Sequence, residues 1–459
     1  MFDSLNVLRR RLARVFAACL AAVLIPLLAV PPAQGYSVLS HEESVDLAWK
    51  SNIEPLLRER YPDATPEQIR VAHSYAYGGA IIQDLGYYPF GDHQLSDLLH
   101  YVRTGAFIDN LLAESHNLNE YAFALGALAH YRGDTNGHPA VGIATAREYP
   151  RLQSRFGHFV SYYDSPKAHI RTEFGFDVVQ VAQGHYMQDN YANFIGFNVS
   201  MPVLQRAFQD TYGIPLDSVL KHQDLAVSTF RYSVSSAIPE MTRVAVVHYQ
   251  KQIAERVPDF DRRKFVYKVK RASFEQEFGK QYHRPGPGVY VINFLIRIMP
   301  KVGPLSVFRL HLPGPEDEKL YLNSMQTTVT KYDNDLDRLR AERGPVQKLG
   351  LPDLDYDTGK PTHLGEYPLA DRSYRRLLIA VTQPKAPAAT PPVRESLIAF
   401  YAPLAVPHRR HMARLLHMRG DRRLRDTQRR LVILKDEAPA MENASRGRAA
   451  AKPAAAPGQ

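Results

Sequence analysis

The chain has 459 residues, 45% hydrophobic and 23% charged, which is long enough for a large core and two or three domains. Its net charge of +10 suggests a nucleic-acid partner until it is located: residues 408–435 hold ten Arg and Lys against two Asp, and residues 1–35 hold four Arg against one Asp. The body between them is close to neutral, so basicity of the whole chain is no argument for nucleic acid.

Arg9, Arg10, Arg11 and Arg14 precede an apolar run over 15–30. Pro31-Pro32-Ala33-Gln34-Gly35 follows, with small residues at −3 and −1 of a cut after Gly35. Residues 1–35 thus have the form of a secretory signal peptide, and the chain is expected to be exported, periplasmic or secreted. An uncleaved membrane anchor is the alternative, since the run nearly suffices to span a bilayer. The only cysteine, Cys19, lies inside it. The mature chain would then have no disulfide and no thiolate, and any metal must be held by His, carboxylate and backbone.

Residues 36–258 read as helix after helix. Apolar spacing predicts helices over 44–60, 95–104, 118–131, 169–184, 201–212 and 239–256. Another opens at Thr65-Pro66-Glu67, a cap residue followed by Pro in the first turn. β-Branched alternation is scarce, so an all-α domain is expected here. In 259–383 the pattern is mixed but mostly helical. Residues 264–270 alternate like a strand or a stiff helical edge. Pro285-Gly286-Pro287-Gly288 breaks the chain before an apolar run over 289–299, which reads as a core helix or as one that touches a membrane. A polar helix is expected over 316–343. Residues 384–459 form an Ala/Pro-rich linker and a basic, partly disordered tail. The basic helices of 393–435 are either solvated or in contact with an anionic membrane surface, and disorder is expected over 436–459.

The chemistry gathers in Phe123 to His138. His130 and Asp134 are four apart, on one face of a helix. The apolar run before them implies burial, where an unpaired His and carboxylate are costly unless a divalent cation joins them. Gly133 and Gly137 are expected to let the chain loosen, so that His138 need not follow helical geometry. His169 and Glu173 repeat the i,i+4 spacing. Asp84 ends an apolar helix, and His100 lies on another, where it is preferred to His93. His41 follows Tyr36 by five residues, and the amine and carbonyl of Tyr36 would chelate a metal if cleavage follows Gly35.

These residues resemble the zinc-dependent phospholipase C family and its relatives, the single-strand-specific nucleases. The likeness rests on His-Tyr-x-Gly-Asp at His130 to Asp134 with His138 after it, His-x-x-x-Glu at His169 to Glu173, Asp84, Leu-His-Tyr at Leu99 to Tyr101, and His41. It covers about 36–250. The resemblance implies an all-α fold and two or three zinc ions. Asp84, His100, His130 and Asp134 would hold one, and His138, His169 and Glu173 a second. His41, the amine and carbonyl of Tyr36, and a bridging Asp134 would hold the third. Two departures from the family stand out: Tyr36 replaces a Trp, and the gap from Asp134 to His138 is short.

The expected function is therefore a phosphodiester hydrolase of phospholipase C type, in which metal-bound hydroxide attacks a phospholipid head-group phosphodiester. Asp84 and Asp134 are the expected catalytic residues, Asp84 as general base or orienting ligand. Tyr87, Tyr88 and Phe90 would either line a pocket for a choline-like cation or serve as core aromatics. Two alternatives use the same scaffold: a nuclease on single-stranded nucleic acid, or a non-catalytic zinc-binding surface protein.

Overall fold

The structure, a computed structural model, describes residues 37–183, 196–256, 310–342, 344, 347–384, 386–405 and 421–450. The leader, Tyr36, the alternating stretch 264–270 and the apolar run 289–299 lie outside the described residues.

The molecule is built around one helix, α6 (Leu118–Glu148). Asn117 caps it by accepting from the Glu120 N–H at 3.0 Å. Tyr121 to Tyr131 are fully buried, so this helix is apolar on every side and must be covered all round. The expected loosening at Gly133 and Gly137 does not occur. The helix runs through both, and through Pro139, because packing on all sides outweighs the weak local preference of two glycines.

In front of α6 come α1 (Val38–Ala48), a π-helical turn (Trp49–Ile53), α2 (Glu54–Arg60), α3 (Pro66–Gly79), α4 (His93–Tyr101) and α5 (Thr104–Ala113). Helix α3 opens as its sequence predicts. Thr65 Oγ1 accepts from Gln68 N, and Gln68 Oε1 accepts from Thr65 N, a reciprocal capping box. Helices α3 and α6 cross at glycine. A Cβ on Gly126 would lie 1.9 Å from the Ala76 carbonyl oxygen, and one on Gly79 would lie 2.0 Å from that of Phe123.

After α6 come α7 (Pro150–Phe156), α8 (Pro166–Gln183), α9 (Met201–Tyr212), α10 (Gln223–Tyr232), α11 (Ile238–His248) and α12 (Gln250–Arg256). The next helix, α13 (Pro315–Ala341), lies along α6. Tyr332 Oη donates to the Leu125 carbonyl at 2.9 Å, and Arg132 Nε meets Asp335 Oδ2 at 2.6 Å. A two-stranded antiparallel hairpin follows, β1 (Leu354–Asp355) with β2 (Lys360–Pro361). Then come α14 (Pro368–Val381), α15 (Pro391–Tyr401) and α16 (Asp421–Ala450).

The fold is all-α, as expected, apart from that hairpin. Helix α16 continues past residue 436 into the stretch expected to be disordered, where Ala, Glu, Met and Arg favour helix. It is not simply solvated: Leu434 is buried, and Arg375 pairs with Asp426 at 2.8 Å. One apolar core runs from Val38 through Tyr332, Tyr356 and Leu397 to Leu434. Among the described residues no helix is long and apolar enough to cross a membrane.

Candidate metal centre

Because α6 stays helical to Glu148, His130, Asp134 and His138 stand at i, i+4 and i+8, one above the other on a single face. The short gap to His138 is therefore one helical turn. Asp134 lies at the middle of the cluster. Its Oδ2 is 2.9 Å from His130 Nε2, 3.3 Å from His100 Nε2 and 3.5 Å from His138 Nε2, and its Oδ1 is 3.2 Å from His41 Nε2.

Three groups of side chains converge closely enough to hold a cation, two of them sharing His130. They are His41, His130 and Asp134; Asp84, His100 and His130; and His138, His169 and Glu173. Asp84 Oδ1 is 3.3 Å from His100 Nε2, and Glu173 Oε1 is 3.1 Å from His169 Nε2. Within the third group His138 Nδ1 lies 3.2 Å from His169 Nε2. The rings of His41 and His130 stack at 4.1 Å.

Eight of the nine expected ligands are thus brought together, all essentially inaccessible to solvent. Tyr36, the ninth, is outside the described residues, but its neighbours are held in place. Asp177 on α8 accepts from Leu39 N at 3.3 Å and Ser40 Oγ at 2.8 Å, and also from Ser37. It does what an N-cap side chain would do for α1, whose own Ser37 makes no cap. His93, His116 and His158 are exposed, and His73 is buried against Trp49 and Asp46; none joins the cluster. Of the aromatics after Asp84, Tyr87 and Tyr88 are core residues, and Phe90 is 58% exposed.

The donor set suits zinc: imidazole and carboxylate, with no sulfur. Three histidines are oriented for it by their far nitrogens, each donating to a main-chain carbonyl. His100 Nδ1 reaches Ser96 O at 2.8 Å, His130 Nδ1 reaches Ala80 O at 2.8 Å, and His169 Nδ1 reaches Val160 O at 3.2 Å. That leaves their Nε2 lone pairs aimed inward, the usual outer-shell arrangement of a zinc ligand. Both oxygens of Asp84 and of Asp134, and Nε2 of His100, His130 and His138, make no hydrogen bond among the described residues. So many buried polar atoms, close together yet without hydrogen bonds, would be costly unless a shared cation satisfies them.

The electrostatics divide the imidazoles into two pairs. Burial lowers the His41 pKa, helped by His130. Burial and the His138 charge take His169 down to about 4. Both rings are neutral near pH 7, as a metal ligand must be. Burial also acts on His138, but Asp134 and Asp357 outweigh it and raise that ring to about 9. His100 is raised by Asp134 and Asp84 against the same opposition. Burial pushes Asp134 the other way, yet His130 and His138 hold its carboxyl well below the usual range.

One residue of the site was not foreseen. Asp357, in the turn between β1 and β2, places Oδ1 3.1 Å from His138 Nδ1. Its Oδ2 accepts from Tyr101 Oη at 2.9 Å and from Tyr367 Oη. Asp355-Tyr356-Asp357-Thr358-Gly359 reads as a polar turn, and no spacing ties it to a helix more than two hundred residues earlier.

Residues 40–221 match the family model described as zinc dependent phospholipase C. This is the family that the residue pattern resembles, and all eight placed candidates fall in the matched segment. The match and the three groups together support a zinc-dependent hydrolase of phosphodiesters. No curated protein and no solved structure matches the chain.

Proposed function

We propose that this protein is an exported hydrolase of phospholipase C type, cleaving a phospholipid to diacylglycerol and a phosphorylated head group. The observation that carries the reading is Asp134, one buried carboxylate within 3.5 Å of four imidazole nitrogens drawn from all three groups.

The residues have distinct tasks. His41, His130 and Asp134, then Asp84 and His100, then His138, His169 and Glu173 are the side chains that would hold two or three zinc ions. Zinc, when bound, supplies Lewis-acid polarisation of phosphoryl oxygens and activation of water at neutral pH. Asp134 fixes the spacing of the groups, because its two oxygens face different partners. Asp84, neither of whose oxygens is hydrogen-bonded among the described residues, is the carboxylate assigned to take the proton of the attacking water. The buried, low-dielectric setting strengthens each electrostatic contact with a phosphate. Fixed imidazoles need no reorganisation as charge develops. The near-neutral body favours a lipid phosphodiester over a polyanion, which would want a basic groove. The basic stretch of residues 393–435, which reaches into helix α16, is proposed as a peripheral contact with anionic membrane.

The test is hydrolysis of phosphatidylcholine vesicles by zinc-loaded protein, with single-stranded DNA as the second substrate. Release of phosphorylated head group, abolished by chelator and restored by zinc, is expected. Cleavage of DNA alone would replace this reading with the nuclease one. Bound zinc with turnover of neither would leave a surface-binding protein.

A further inference from the structure

Three of the four histidines that orient on a hydrogen bond use a main-chain carbonyl for their outer nitrogen; His138 does not. Its Nδ1 faces the Asp357 carboxylate at 3.1 Å and the His169 Nε2 at 3.2 Å. His169 already donates its own Nδ1–H to Val160 O, so its Nε2 is a neutral acceptor. The charged carboxylate is the stronger acceptor of the two. Asp357 lies outside the segment that matches the family model.

We propose that Asp357 is the positioning residue of the metal centre, holding His138 in the tautomer whose Nε2 lone pair faces the cluster around Asp134, and that the hairpin of residues 354–361 is thereby a working part of the centre. This rests on the reading that the cluster binds zinc.

The hairpin is built to deliver one carboxylate. Asp355 Oδ1 accepts from the Asp357 N–H at 2.9 Å and the Thr358 N–H at 3.3 Å, and Gly359 N–H closes the turn on Asp355 O at 2.8 Å. Gly359 has φ +66°, and a Cβ there would lie 2.3 Å from the Thr135 carbonyl, so the turn sits directly on α6 only as glycine. That carbonyl is available because Pro139 has no N–H to give it. Tyr356 N–H donates to His100 O at 3.2 Å, and the Tyr356 ring packs 5.1 Å from His100. Tyr101 and Tyr367 engage Oδ2, which leaves Oδ1 for His138. Upstream, Asp109 accepts from the N–H groups of Leu349, Gly350 and Leu351, strapping the segment to α5.

The experiment measures zinc stoichiometry and affinity by chelator competition in the full chain, for wild type, Asp357→Asn and Asp357→Ala. The thermal midpoint of each metal-free chain is recorded alongside. Both variants are expected to lose affinity at one zinc by ~10–100-fold, the usual effect of removing a ligand's outer partner, and in Asp357→Asn, whose amide oxygen still accepts from Tyr101 and Tyr367, with the metal-free midpoint little changed. Nitrogen NMR of the His138 ring should show a changed tautomer in Asp357→Asn, which keeps the volume of the side chain if the alanine variant does not fold. Wild-type zinc content and affinity in the variants overturn the proposal. So does a loss seen only together with unfolding of the metal-free chain. If wild type itself binds no zinc, the reading of the cluster fails instead.

Discussion

At the residue scale the centre turns on a single carboxylate. Removing the charge of Asp134 leaves four imidazole nitrogens without their common partner. Asp134→Asn is expected to lose bound zinc and to lower kcat/KM by roughly 100-fold or more, since metal assistance supplies several kcal/mol; elemental analysis and vesicle assays read both. Protons compete with the metal. His138 at about 9 carries a proton at pH 7 in the metal-free chain, and a ligand must lose it. Zinc uptake at pH 7 should therefore release at least one proton, and affinity should rise with pH until about 9. Titration calorimetry in buffers of different ionisation enthalpy measures this directly. Asp177 titrates the other way. Burial raises it from 3.8 to about 7, so between those values the unfolded chain gives up a proton that the folded one keeps. Its contribution to stability is thus full below about 4 and lost as pH rises through 7. In the metal-free protein, Asp177→Asn should gain on wild type in thermal midpoint across that window.

Helix α6 decides the geometry at the scale of elements. Its face carries His130, Asp134 and His138, and its crossing with α3 sets the rest, because the Ala80 carbonyl that orients His130 follows directly on α3. The crossing tolerates no side chain at Gly126 or Gly79. Gly126→Ala is expected to cost about 1–3 kcal/mol through overpacking and to weaken zinc binding by shifting α3. Denaturant melts and chelator competition on the same variant check the two effects. The cap at Thr65 was readable from the sequence because a cap is local. The unbroken course of α6 was not, because Gly133, Gly137 and Pro139 locally argue for a break and only neighbouring helices overrule them.

For the whole molecule, the apolar core does not stop where the family match does. Tyr332 and Leu336 of α13, Tyr356, Leu377 of α14 and Leu397 of α15 are buried in the same cluster as Val45 of α1 and Phe123 of α6. A chain ending at residue 256 would expose that surface and lose Asp357 as well. It is expected to melt without a cooperative transition and to bind hydrophobic dye. A compact fragment of residues 37–256 with three zincs would contradict this. Composition separated the segments only because their local patterns differ; it carries no information on which apolar faces meet.

By itself, the sequence determined the helical class, the side chains offered for zinc and the family they resemble, since periodicity and ligand type are local properties. His41, Asp84, His100, His130, Asp134, His138, His169 and Glu173 were all legible in this way. The tertiary structure alone decided that α6 runs unbroken and that Asp177 caps α1. It also decided that a distant hairpin brings Asp357 to His138. Each of these depends on a contact between segments far apart in the chain, and no pattern within one segment records its partner.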